Sequence, residues 1–471
     1  MQLNTWVIAA AIIATTSAPT IRSDDSTEVV QQLKQQVEAL DQKMKALERN
    51  RELESESAAE KAKTTPRVSA GVGGFAFSSA DTNFTLKVRG YVQTDARFFA
   101  DDVSTGTAND TFLLRRVRPI LEGTVHDKFD YRLMLDFGSG SGTSSSAGNV
   151  AFVQDAYLNA RLWPELQFQV GKFKEPVGLE RLQSGANLLF VERGYPTQLL
   201  PNRDVGLQLH GELLDGSLNY AVGVFNGTAN GGSADIESAD EDKDFAGRLF
   251  THPFKKSGIE ALQGLGLGVA GTYGEQSGGL RSFVSPGQQR FFAYRATTGT
   301  GTPNVIADDV HWRVTPQVYY YWGPFGLFAE YALSSQNVLQ NGGGAGAGTS
   351  ARLEHKAWQV SASYFLTGEA NSFKAVSPHK PFALDGDGWG AWEIAARVGQ
   401  LDVDDASFPI YANPASAATE ANSWGVGLNW HLNRNVKLNL NYEQTDFSGA
   451  SDTPLLAKGE KAFLGRVQFS F

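Results

Sequence analysis

Arginines at alternate positions are the residues of this sequence best suited to chemistry. In FLLRRVRPILEGTV, residues 112–125, Arg116 and Arg118 share one face of an extended chain with Glu122 and Thr124, while Leu113, Val117 and Leu121 share the other. A guanidinium is planar, permanently charged and forked, so it matches the oxygens of phosphates and carboxylates. A row of such groups along a wet passage attracts anions. Matched one for one with carboxylates, the same groups would brace a polar interior. Both uses stay open at this level.

The elements needed to hold such a row repeat along the chain. From Phe84 the period of the pattern is two. Leu86, Val88, Val92 and Ala96 alternate with Lys87, Arg89, Gln93, Asp95 and Arg97; Val436, Leu438 and Leu440 alternate with Lys437, Asn439 and Asn441. Sixteen segments follow this rule, near 84–98, 111–125, 129–138, 150–162, 166–174, 204–214, 217–226, 244–251, 265–274, 310–322, 325–335, 355–366, 388–400, 422–432, 435–445 and 461–471. Connections after even-numbered segments are mostly tight, as at His126–Lys128 and Gly323–Pro324, with Thr251–Gly264 and Thr367–Asp387 as exceptions. Those after odd-numbered segments are long and rich in Gly, Ser, Asp and Asn. Short turns at one end and long loops at the other predict an all-β, sixteen-stranded antiparallel transmembrane barrel in a bacterial outer membrane.

Alternation then sorts the charges. Arg89, Arg97, Arg116, Arg118, Arg132, Arg161, Arg248, Arg313 and Arg397 face the lumen as the candidate anion path, with Lys87, Lys437 and Arg466. Asp95, Glu122, Asp130, Asp136, Asp155, Glu212, Asp244, Glu330, Glu393 and Glu443 share that wall. Arg115 falls on the lipid-side face and is expected near the external rim, where charge costs less than at mid-membrane. Pro119 lacks a ladder donor, so a bulge or interruption is expected there. The connection 175–203 carries Val177, Leu179, Leu182, Leu188, Leu189 and Phe190, which suit open water poorly. It is expected to fold inward and narrow the bore, with Glu180, Arg181, Glu192, Arg193 and Arg203 as candidate constriction residues.

Composition bounds the alternatives. The 471 residues include 50 Gly and 11% aromatics, and the net charge of −10 argues against nucleic acid as a partner. A mean hydropathy of −0.26 with no long apolar run excludes a helical membrane protein. With no Cys, disulfides and thiol chemistry are absent, and no cofactor is expected. Residues 1–23 read as an export signal, with Trp6–Ala14 as its apolar stretch. A helical segment over 24–63 places Val30, Leu33, Val37, Leu40, Met44 and Leu47 on one seam, a coiled-coil candidate. From Ser55 to Arg67 it takes on the character of a linker, and 64–83 is expected to link it to the barrel domain, 84–471.

Several runs carry a resemblance: FLLRRVRPILEGTVHDKFDYRLMLDFG, DAYLNARLWPELQFQVGKFKEPVGLERLQS, RDVGLQLHG, GVFNG and GAWEIAARVGQLD, in this order. Together they are similar to the phosphate-selective porin O and P family through most of the chain from Phe84 to Phe471. The resemblance implies a trimeric outer-membrane porin set in lipid, passing small anionic solutes such as phosphate, with Arg116 and Arg118 as members of an arginine ladder. Two other functions are weighed. A barrel enzyme of protease or lipase type would need His beside Ser or Asp in external loops, whereas the histidines fall in strands or short-turn connections. A barrel-anchored periplasmic tether would depend on residues 24–63.

Overall fold

The computed structural model describes residues 23–71, 73–100, 110–138, 151–233, 241–296, 304–342, 346–449 and 454–471. The expected export signal, apart from Ser23, lies outside them. The chain divides into two units, Met1–Thr65 and Pro66–Phe471.

The first unit is described as one helix, α1 (Ser23–Thr64). It runs through Ser55–Lys63, where a linker was expected, because Ala, Glu and Lys there are strong helix formers and no Gly interrupts them. Pro66 then bars the residue before it from helical geometry. The seam from Val30 to Leu47 is left 51–68% exposed.

The second unit opens with a hairpin, β1 (Arg67–Gly71) and β2 (Gly74–Ser78), in place of the expected linker. Next come β3 (Phe84–Phe99), β4 (Thr111–Val125), β5 (Phe129–Asp136), β6 (Phe152–Trp163), β7 (Leu166–Lys174) and β8 (Arg203–Leu213). They are followed by β9 (Leu218–Phe225), β10 (Asp244–Thr251) and β11 (Leu265–Gly279). A small hairpin, β12 (Phe283–Val284) with β13 (Arg290–Phe292), sits in the next external loop. The series ends with β14 (Val305–Trp322), β15 (Phe325–Gln340), β16 (Ser350–Phe365), β17 (Ala391–Asp402), β18 (Glu420–His431), β19 (Val436–Ser448) and β20 (Glu460–Ser470).

Strands β3–β11 and β14–β20 are the sixteen staves of a closed antiparallel barrel. Closure is made by β20 on β3, from Tyr91 opposite Ser470 to Phe99 opposite Ala462. Below that seam β2 takes up Thr85–Val88, the part of β3 that β20 does not reach. The last residue locks the join: Gly90 N–H donates to the Phe471 carbonyl and Phe471 N–H to the Gly90 carbonyl, each at 3.0 Å. Tight turns at His126–Asp127 and Leu214–Asp215 hold two successive residues at positive φ (49° and 56°; 53° and 53°), the twist that suits a two-residue hairpin.

Val222, Leu249, Val426, Leu440 and Val467 all stand exposed on the outside. A continuous apolar belt of that size needs lipid as its solvent. Trp163, Trp322 and Trp389 mark its short-turn edge, and Phe98 and Phe112 the other.

Strand β4 departs from strict alternation. Gln93 pairs with Arg116 and Thr94 with Leu114, so Arg115 is an extra residue in the strand. The bulge reverses the faces beyond it: Leu114 is 53% exposed, and Leu113, expected toward lipid, turns inward. Pro119, where the bulge was expected, stays in register opposite Gly90. Gly90 spends its N–H and C=O on Phe471, so the donor missing at Pro119 faces β5, where pairing begins only at Ile120.

Candidate functional site

The lumen is organised by the loop 175–202, which includes the single turns α2 (Leu179–Leu182) and α3 (Pro196–Leu199). Its Val177, Leu188, Phe190, Val191, Tyr195, Leu199 and Leu200 are buried inside the barrel, as its apolar content led us to expect. Neutral amide side chains on the wall take up the main-chain groups that burial would leave orphaned. Gln93 of β3 donates to the Gly185 carbonyl (2.8 Å), Gln468 of β20 to Ala186 (3.0 Å), Asn429 of β18 to Leu189 (3.0 Å) and Gln317 of β14 to Val177. Lys437 of β19 donates to Leu188 (2.9 Å), and Asn441 accepts from Val191 N–H (2.7 Å). On β15, Glu330 accepts from Leu179 N–H (2.6 Å). The loop therefore crosses the bore and is fastened on both sides.

Glu192, between α2 and α3 of this loop, is the densest charged point. Arg115 Nε lies 2.5 Å from its carboxylate, Arg97 3.2 Å, Arg466 3.8 Å and Arg116 4.0 Å. Arg466 also holds Asp95 through two bonds of 2.7 Å. Burial alone would raise the Glu192 pKa, but Arg115, with Arg116 and Arg466, outweighs it and holds the carboxyl well below the usual range. Arg115 is thus a lumen residue with a side chain only 15% exposed, not a lipid-side residue at the rim. Two adjacent arginines reach one carboxylate because the bulge turns both inward.

The remaining candidates occupy several positions. Arg118 bridges Asp136 (2.7 Å) and the Tyr91 hydroxyl (2.8 Å), and Arg116 also donates to Gln93 (2.7 Å). Arg132 lies between Glu122 (3.1 Å) and Asp155 (3.2 Å), Arg89 pairs with Glu122 (2.7 Å) and Arg203 with Asp155 (2.7 Å). These form one charged wall over β3–β6, with Arg203 reaching it from β8. Arg397 joins the loop from another side, donating to the Glu192 carbonyl (2.9 Å) and Glu443 (2.7 Å) while lying 4.4 Å over the Phe190 ring. Arg161, 43% exposed beside Asp130, sits at the short-turn rim. By strand order Arg248 and Arg313 stand across the barrel from β4; Arg313 is sealed against Asp244 and the Thr228 carbonyl, and Arg248 lies over Phe250 at 4.4 Å.

Within the loop, Glu180 accepts from Gly194 N–H (2.9 Å) and Gln359 (2.8 Å), and Arg181 donates to the carbonyls of Thr197 and Gly231. Arg193 donates to the Glu180 (3.1 Å) and Gln183 (2.9 Å) carbonyls. Lys174, which alternation along β7 did not single out, reaches the same Gln183 carbonyl at 2.9 Å. Two cations converge there on one neutral acceptor.

A second segment enters from the opposite end. In the long connection after β16, Phe373 stacks on Tyr319 (centroids 5.5 Å apart) and its carbonyl accepts from Gln183 (3.1 Å). Between this segment and the loop lies a cavity of about 460 Å³. At the external end, hairpin β12–β13 packs Phe283, Phe291 and Phe292 above the loop beside Tyr195. Glu460 anchors it through Ser285 (2.8 Å) and Gly287 N–H (3.1 Å).

Comparison with known proteins bears on this architecture. The sequence matches the family described as Phosphate-selective porin O and P over residues 86–471. It is similar to Porin O of Pseudomonas aeruginosa, 23% identical over 432 residues, which cover 85% of this chain and 91% of the relative. Among solved structures, the outer membrane channel DcaP of Acinetobacter baumannii is 13% identical with a TM-score of 0.51, covering 86% of this chain and all of that one. Salmonella typhi OmpF gives 10% identity, the same TM-score and the same coverage. The likeness to these two is one of fold. Because the family match runs from the third residue of β3 to the last residue of the chain, it takes in the whole barrel, and this chain belongs to the phosphate-selective porin O and P family: it is a porin of the bacterial outer membrane, a channel rather than an enzyme.

Proposed function

We propose that this porin passes small anions, phosphate among them, along the wall of β3–β6 past the inward loop. The observation that carries this reading is the meeting of Lys174 and Arg193 on the single Gln183 carbonyl, each at 2.9 Å. Two cations sharing one neutral acceptor leave positive charge unspent, and an anion in transit would relieve their repulsion. The four guanidiniums around Glu192 and Asp95 supply the same surplus close to the wall. Phosphate is favoured over anions in general by the description of the family and by the fork geometry of arginine.

The test is the reversal potential of planar-bilayer currents in a KCl gradient, followed by titration with phosphate. Anion selectivity and a chloride current reduced by phosphate are expected, and replacing Lys174 and Arg193 together by Gln should lower the anion preference. Cation selectivity would overturn the reading, and a chloride current indifferent to phosphate would restrict it to anions in general.

The same reading takes the assembly as a homotrimer with α1 as its coiled-coil seam. Six apolar residues from Val30 to Leu47, exposed at heptad-like spacing, support it. Chemical crosslinking of the purified porin should trap trimers, with a lower yield once residues 24–63 are deleted.

A further inference from the structure

The cavity of about 460 Å³ below the loop has two unlike surfaces. Six Lys and Arg side chains line it against two acidic side chains, Glu180 and Glu393. Both carboxylates are already engaged, Glu180 with Gly194 N–H and Gln359, and Glu393 with Asn429 (3.0 Å) and His431 (3.5 Å). Of the cations, Arg89, Arg132 and Arg397 are paired with Glu122 and Glu443. Lys374, Arg434 and Lys437 form no ion pair among the described residues; Lys374 and Arg434 are exposed, and Lys437 donates to the Leu188 carbonyl.

The rest of the lining mixes Ser, Asn and Gln side chains with an apolar, partly aromatic patch, Leu188 and Phe190 from the loop above and Phe328 and Phe365 from the strands. An inorganic oxyanion gains nothing from the aromatic patch, whereas a solute with a ring at one end and a carboxylate at the other uses both the patch and the cations. The volume suits a small organic molecule, since ligand sites run from about 300 to 1,000 Å³. The geometry points to this cavity as a binding vestibule for amphipathic organic anions of the aryl carboxylate class. The ring rests against Phe190 and Phe328, and the carboxylate faces Lys374, Arg434 and Lys437. This deepens the anion reading above and rests on it.

The experiment is single-channel recording of the full-length porin in KCl, with sodium benzoate or sodium acetate added at equal concentration and pH on the periplasmic side. Benzoate is expected to reduce the chloride current saturably where acetate does not. The double variant Lys374→Gln, Arg434→Gln changes two exposed residues and should raise the half-blocking benzoate concentration about 3- to 10-fold. Lys437→Gln should act in the same direction. In an anion-selective channel, equal effects of benzoate and acetate would overturn the vestibule and leave the anion path standing; so would a half-blocking concentration unmoved in the double variant. A cation-selective reversal potential in the same recordings would overturn the anion path itself, and the vestibule with it.

Discussion

Glu192 is the most heavily paired carboxylate of the inward loop, because four guanidiniums lie within 4.0 Å of it. Replacing it by Gln removes one buried partner and leaves the arginines to repel one another. Breaking a buried pair in this way costs about 3 kcal/mol or more. Glu192→Gln should therefore lose its folded band on an unheated gel at a lower temperature than the parent and shift the reversal potential toward stronger anion selectivity. The pH dependence follows from the direction of its shift. A carboxyl depressed in the folded state stabilises fully above its unfolded pKa of about 4.3 and loses that contribution as pH falls toward its folded value. The stability gap between parent and Glu192→Gln should stay constant from pH 8 to about 5 and narrow below about 4; a gap that closes near neutral pH would contradict this assignment. The arginines of this node were only partly legible in the sequence. Arg97 and Arg116 followed from alternation, but Arg115 did not, since the extra residue that turns it inward is set by register between β3 and β4 and not by local pattern.

Elements were easier to read than side-chain directions. All sixteen barrel strands were legible because lipid outside and water inside impose a period of two on each, and loop length added an independent check. Hairpin β1–β2 was missed because its two runs of five residues, RVSAG and GFAFS, are too short and Gly-rich to separate from a linker. The closing seam adds a constraint that the strand pattern does not carry. A Cβ on Gly90 would lie 2.6 Å from the Arg118 carbonyl of β4 and 3.1 Å from the Phe471 ring at the seam, so β3 must shift against both neighbours to admit it. Gly90→Ala should destabilise closure by roughly 1–3 kcal/mol, the usual cost of overpacking, and lower the yield of heat-resistant barrel. Gly247→Ala, where an added Cβ meets nothing within 4 Å, should be silent in the same assay.

At the scale of the molecule, what sets the bore is how the loops fold across it. The inward path of 175–202 was legible from its apolar residues, but the entry of the connection after β16 was not. Its run NSFKAV has only Phe373 and Val376 as large apolar groups, a pattern that surface loops also show. Only the facing wall explains it: Asn371 donates to Ser363 of β16 (2.8 Å), Phe373 stacks on Tyr319 of β14, and Gln183 of the loop closes on the Phe373 carbonyl. Segments from the two ends of the barrel thus meet in the lumen, and the resistance of the bore should depend on both. Shortening 371–376 to a Gly-Ser link should raise single-channel conductance, because it removes the periplasmic half of that contact while leaving the strands paired. The other long periplasmic connection is the control. Its Lys255 donates to the Asp215 and Gly216 carbonyls of a neighbouring turn (3.1 and 3.0 Å), so it lies along the rim, and shortening it should leave conductance unchanged. Equal conductance in the parent and the 371–376 variant would mean that ions bypass this contact and that the loop after β7 alone sets the resistance.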